Sequence, residues 1–206
     1  MTPGPNHILK TPLTGSLVKI STIASGNTFG ARFWTDGKRE APMLPDQPWL
    51  RCHPDTAELF WTDECEQVGQ EEPWGEADEF TDAPFAQEPT IDDYLRALSD
   101  GMASSPEKER YIRMRLWWAA NDSVRRGETT VPSWRGHNDN LNRLRALLNE
   151  SDANQRLMAA EACRELGDFT HAAELLTFCF PKDFQHAVNR IKALNDQNDS
   201  TVREMA

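Results

Sequence analysis

Between Asp63 and Glu88 the chain carries ten acidic residues and no lysine or arginine, with Pro73 and Pro84 inside the run and Pro89 directly after it. Carboxylates at that density repel one another and each proline removes a backbone donor, so neither a long helix nor a continuous core is expected to cross this stretch. The chain is therefore read as a small β domain over residues 1–62, an extended acidic linker over 63–90 and a helical domain over 91–206. Trp74, Phe80 and Phe85 are spaced among the acids. Such rings either pin the linker onto the helical domain or dock on another molecule, and Trp74 is the candidate for contact with a partner.

The charge is divided in the same way as the chain. Of a net −11, residues 1–90 hold 6 Lys+Arg against 15 Asp+Glu, and residues 91–206 hold 16 against 18. An acidic front repels nucleic acid and anionic lipid, which leaves a protein as the expected partner, a basic one above all. No apolar run approaches the ~20 residues that span a bilayer, and the opening MTPGPNHILK lacks the basic-then-apolar order of a secretory signal, so a cytoplasmic location is expected. Cys52, Cys65, Cys163 and Cys179 are too few and too scattered for a disulfide framework.

In the front, Leu17–Ile23 alternates and is rich in β-branched residues, which suits a pleated strand. Thr28–Thr35 continues as a second strand, and Asp36-Gly37 supplies the positive φ angles of a tight hairpin. Pro42, Pro45 and Pro48 enforce an extended connection, after which 49–52 and 59–62 return as short strands. The run HPDTAELFW, His53 to Trp61, resembles the second knuckle of a zinc ribbon, in which a ligand-bearing turn precedes a hydrophobic strand. The ligand positions would fall on His53 and Thr56, and the matching turn at 25–28 has no thiolate or imidazole. The resemblance thus implies the shape of a ribbon that has lost its metal. Cys52, His53 and Cys65 are nevertheless the residue types that hold zinc and are the candidate metal ligands, although adjacent residues on a strand face opposite ways.

The rear is read from its 3.6-residue periodicity. Thr90 with Asp93 forms a capping pair ahead of Ile91, Tyr94, Leu95 and Leu98, and Ser105-Pro106 opens a second helix that Gly127 stops. Residues 125–140 hold turn formers without periodicity, a loop of the length at which function is found, and Trp134, Arg135 and His137 are its candidate binding residues. Leu141, Leu144 and Leu148, then Ala159, Ala162, Cys163 and Leu166, then Ala172, Leu175, Leu176 and Cys179, and lastly Phe184, Ala187, Val188 and Ile191 mark four further helices joined by short turns. About six helices in all are expected, giving an α+β chain.

The stretch from Ala160 through Gly167-Asp168-Phe169 to Ala172 and Pro181 resembles a tetratricopeptide repeat, a pair of helices whose small residues let them approach. That resemblance implies neighbouring helices stacked on the pair and a groove that takes a peptide or a helix of a partner. No nucleophile with a base, no elbow serine and no phosphate loop is present in a recognisable spacing. The reading favoured by the residues is a non-catalytic interaction or adaptor protein without a cofactor. The alternatives are a zinc protein or metal-dependent enzyme built on the front cysteines and His53, and an acidic inhibitor of a basic protein.

Overall fold

The computed structural model describes residues 1–74 and 80–205 and has an α+β fold, short antiparallel strands followed by helices. The strands are β1 (Thr2–Pro3), β2 (Asn6–Lys10), β3 (Leu17–Ile20), β4 (Ile23–Ser25), β5 (Arg32–Phe33), β6 (Arg39–Glu40), β7 (Leu50–Cys52), β8 (Leu59–Trp61) and β9 (Glu66–Glu71). The helices are α1 (Ile91–Ser99), α2 (Pro106–Arg125), α3 (His137–Ala146), α4 (Ala153–Glu165), α5 (Phe169–Leu175) and α6 (Gln185–Asp196). The chain divides into two compact units, one of residues 1–31 and 40–93 and one of residues 32–39 and 94–206. Among the described residues no helix is long and apolar enough to cross a membrane.

In the β unit, β2 is the middle of a three-stranded antiparallel sheet in the order β3-β2-β9. Leu9, Val18 and Phe60 form its core, and β7 pairs with β8 in a separate ladder that sets Leu50 opposite Trp61. The acidic stretch expected to be a linker differs from that expectation. Glu66–Glu71 is a strand with Leu9 opposite Gln67, and Lys19, 6% exposed at its side chain, binds Glu71 at 2.8 Å. Val68 is its only β-branched residue, so what selects the strand is the ladder to β2 and this ion pair rather than local propensity. Phe80 lies on Gly69, where an added Cβ would come within 2.3 Å of the ring, so this ring is held on the β sheet. Further on, Phe85 bridges to Lys19 and Gln87 to Cys52. Residues 75–79 of the expected linker lie outside the described residues.

The expected strand over Thr28–Thr35 contracts to β5, and Phe29 is left 84% exposed. The turn after it forms with Gly37 at φ 80 but without the positive φ expected of Asp36. Its location is the finding, because Arg32–Arg39 groups with the helices, where Thr35 and Arg203 pair through their backbones and Met205 N donates to Phe33 O at 2.8 Å.

In the helical unit the helix starts follow their caps. The Ser105 hydroxyl accepts from Lys108 N, and the Asp152 carboxylate from Gln155 N. Alanines make α4 the middle of the stack. Ala159, Ala160 and Cys163 meet Ala172, Leu175, Val188 and Ile191 on one side, while Ala162 meets Trp117, Leu141 and Leu144 on the other. Helix α5 stops at Leu175, one turn short of the expected end, so Cys179 is exposed rather than on an apolar face. Gly167 sits at φ 79 with open space where a Cβ would go, so it serves the turn by its backbone conformation and not by close packing.

Candidate functional site

The three residues read as metal ligands are each engaged by the backbone of the β unit. His53 is 3% exposed, and its Nδ1 accepts from Asp55 N at 3.2 Å and from Thr56 N at 3.3 Å. A nitrogen that accepts carries no hydrogen, so Nε2 holds the proton and donates to Leu17 O at 3.2 Å. The imidazole thereby ties the turn at residues 53–56 to Leu17 of β3. Cys52 Sγ lies 3.7 Å from His53 O, and Cys65 donates to Trp61 O at 3.3 Å. Burial pushes the Cys65 thiol up to about 11, and the Glu58 and Glu64 carboxylates push the same way, which keeps it a neutral thiol. Trp74, from the acidic stretch, is 85% exposed.

The helical unit contains a different constellation, built around α2. Trp117, Asn121 and Arg125 recur every four residues and lie along one stripe of that helix. Asp36, held in the β5–β6 turn, is 1% exposed; it accepts from Asn121 Nδ2 at 3.0 Å and pairs with Arg125. Its backbone carbonyl accepts from Trp118 Nε1 at 3.0 Å, and Arg125 also binds Trp118 O and Asp122, each at 2.7 Å. Burial raises the Asp36 carboxyl above its ordinary range, against Arg125 and Asn121, which favour its charged form.

From the far side of Asn121 comes Glu165, in the last turn of α4, its side chain 1% exposed. Its Oε2 accepts from Trp117 Nε1 at 2.8 Å and from Asn121 Nδ2 at 3.0 Å. Glu161, one turn earlier, and Arg164, the residue before Glu165, are both buried to 0% exposure and bound to each other. Burial raises the Glu161 carboxyl despite the adjoining guanidinium. Burial alone would lower Arg164, but the charge of Glu161 wins and raises it. Arg164 then reaches the carbonyls of Asp199 and Thr201, which fixes the C-terminal segment beside the helix end.

His137 completes the group. It is the first residue of α3 and only 4% exposed; neither ring nitrogen has a hydrogen-bond partner, and Nε2 stands 3.5 Å from Glu165 Oε2. The preceding loop is tied down by Ser133 N donating to Ala120 O at 3.0 Å and by the Trp134 ring folded over Gly136. His137, Asn121 and Glu165, with Val124, Val131 and Val202, line a cavity of about 260 Å³. Of the loop residues singled out in the sequence, His137 therefore faces the cavity, Trp134 braces the turn before it and Arg135 is exposed.

Set against family models, curated proteins and solved structures, the chain matches none. Asn121 and Glu165 escape sequence reading because they stand 44 residues apart, and an acid just before a helix-ending glycine reads as surface. The signal that points to them is the Trp117, Asn121, Arg125 stripe, polar where a buried helix face should be apolar.

One group of three ligand-type side chains, Cys163, Asp168 and His171, comes within 4.8 Å among the described residues. An arginine occupies it, since Arg145 Nη2 lies 2.7 Å from His171 Nδ1 and its other terminal nitrogen 3.8 Å from Asp168. Burial also pushes the Cys163 thiol up to about 11, so this group is poorly suited to a cation.

Proposed function

We propose that the chain is a non-catalytic interaction or adaptor protein that engages a basic protein partner. The observation that carries this reading is the division of charge between the units. The β unit has 16 Asp+Glu against 3 Lys+Arg, a net −13, and the helical unit 17 against 19, a net +2. Large rings stand out on that acidic unit, with Trp74 at 85%, Trp49 at 59% and Phe85 at 52% exposure. A stable monomer seldom leaves such rings in water, and aromatic anchors within a field of one sign suit a partner of the opposite sign.

The helical unit supports the same class of function. Helix α4 packs on α5 and on α6, the arrangement expected of one tetratricopeptide-like pair followed by the first helix of another. On this reading the stacked hairpins receive a peptide or helix of the partner, while the acidic unit draws it in.

The test is affinity capture with the intact chain, followed by measurement of the recovered complex across salt concentrations. The expected partner is rich in Lys and Arg, dissociates as salt rises towards 1 M, where the screening length falls to ~3 Å, and binds more weakly to Trp74→Ser. A partner retained unchanged at that salt, or a chain that recovers none, refutes the reading.

A further inference from the structure

We propose that the cavity bounded by α2, the 126–136 loop, the start of α3, the end of α4 and residues 200–202 binds a small organic monocation, a primary ammonium or a guanidinium on a short apolar stem. The site is separate from the partner reading above and stands on three observations.

The first is charge. Asp36 is answered by Arg125 and Glu161 by Arg164, each side chain at 1% exposure or less. Glu165 is equally buried, yet its hydrogen-bond donors are the neutral Trp117 indole and Asn121 amide, and the His137 ring beside it, Nε2 at 3.5 Å from Oε2, makes no hydrogen bond to it. Arg164 attracts it electrostatically but gives it no hydrogen bond, its guanidinium being engaged by Glu161 and by two backbone carbonyls. Glu165 also lies at the negative end of α4, where the helix dipole disfavours an anion. A carboxylate placed against both burial and dipole calls for a cation.

The second is the donor and acceptor inventory. The Asn121 amide is oriented by the two carboxylates its Nδ2 serves, Asp36 and Glu165, so its Oδ1 is left as an unpartnered buried acceptor. His137 offers two unpartnered ring nitrogens, one of them an acceptor in the neutral ring. Glu165 Oε1 has a single contact at 3.3 Å, so among these three side chains the unspent acceptors outnumber the one unspent imidazole N–H. A ligand that brings N–H groups satisfies them, whereas an anion or a carbonyl does not.

The third is shape. The volume of about 260 Å³ is below the range of sites for drug-sized ligands. Val124, Val131 and Val202 supply apolar wall, and Val131, 62% exposed, stands at the rim. A polar end against a short apolar stem matches that division.

The experiment is calorimetric or NMR titration of the full chain with n-butylammonium and n-butylguanidinium, against pentan-1-ol and pentanoate of similar length. Both cations are expected to saturate, and Glu165→Gln to weaken them by about tenfold or more. Val131→Lys places a tethered cation at the rim of an exposed position; it is expected to block binding equally with the melting temperature unchanged, so the test survives if the first variant folds poorly. Equal binding of the alcohol or the carboxylate, no saturable binding of either cation up to about 10 mM, or wild-type affinity in Val131→Lys overturns the proposal.

Discussion

Replacing Arg125 by methionine is expected to cost the helical unit about 3–5 kcal/mol, the range for removing one partner of a buried ion pair. The size follows from the surroundings of Asp36. Its side chain is 0% exposed and that of Arg125 1%, so methionine leaves a carboxylate with only the Asn121 side chain and the Lys38 amide to hold its charge. The conservative partner change is milder. Asp36→Asn removes the charge in nearly the same volume, and Arg125 keeps Asp122 and the Trp118 carbonyl. The double variant should therefore recover a large part of the loss, a coupling of roughly 1–3 kcal/mol in a double-mutant cycle. Acid should also relieve the single variant. Asp36 is held above its ordinary range in the folded chain, so the folded state binds its proton more readily than the unfolded state does. The associated stability is fully present below the unfolded value of ~3.9 and is lost as pH rises through the folded value. Without Arg125 the folded value rises further, and the deficit should shrink by up to about 1.4 kcal/mol per unit of acidification. Urea denaturation followed by tryptophan fluorescence at pH 7 and pH 5 measures both effects. A loss below about 1 kcal/mol, or one that is the same at the two pH values, would refute the account of Asp36 as a buried charge held by Arg125.

Two further perturbations probe the frame around the sites. Ala172 is fully buried where α5 meets α4, so Ala172→Leu should overpack that contact and cost roughly 1–3 kcal/mol; an unchanged melting curve would refute the close approach. His53→Ala removes the acceptor of the Asp55 and Thr56 amides and the donor to Leu17 O, for a loss of about 1–3 kcal/mol in the β unit, while a chelator should leave the wild-type melting temperature where it is. A chelator-induced fall would show that a metal, and not the imidazole, organises this knuckle.

What could be read from the sequence is what neighbouring residues decide. The helix caps at Thr90 and Ser105 and the turns at Gly37, Gly127 and Gly167 are local chemistry, and each forms where its residues imply. The β9 strand was not legible because Glu66, Gln67, Gly69 and Gln70 have little strand preference; the partner that fixes them, β2, lies some 60 residues away in the chain. The assignment of Arg32–Arg39 to the helices was hidden for the same reason, since its pairing is with Arg203 and Met205. His137 could be singled out as a loop histidine. Its relation to Glu165 could not, because a buried carboxylate and a surface one have the same letter.

The long-range ties also explain why the cavity has the wall it has. A stack of helical hairpins alone supplies Arg164 with one bonded partner, Glu161, and leaves its remaining N–H groups unsatisfied. Instead Arg164 gathers the carbonyls of Asp199 and Thr201, and Thr35 accepts from Arg203 N at 3.1 Å while donating its own amide to Arg203 O at 2.9 Å. Those contacts bury Val202 to 4% exposure and set it in the cavity lining across from His137 and Asn121. Two fully buried charges are an expensive way to hold residues 199–203, and apolar packing of similar volume would serve stability as well or better. Their direction-specific bonds do something that apolar packing does not, because they fix where residues 200–202 lie relative to Glu165. The ion pair at Glu161 and Arg164 is thus better understood as positioning the cavity wall than as strengthening the fold.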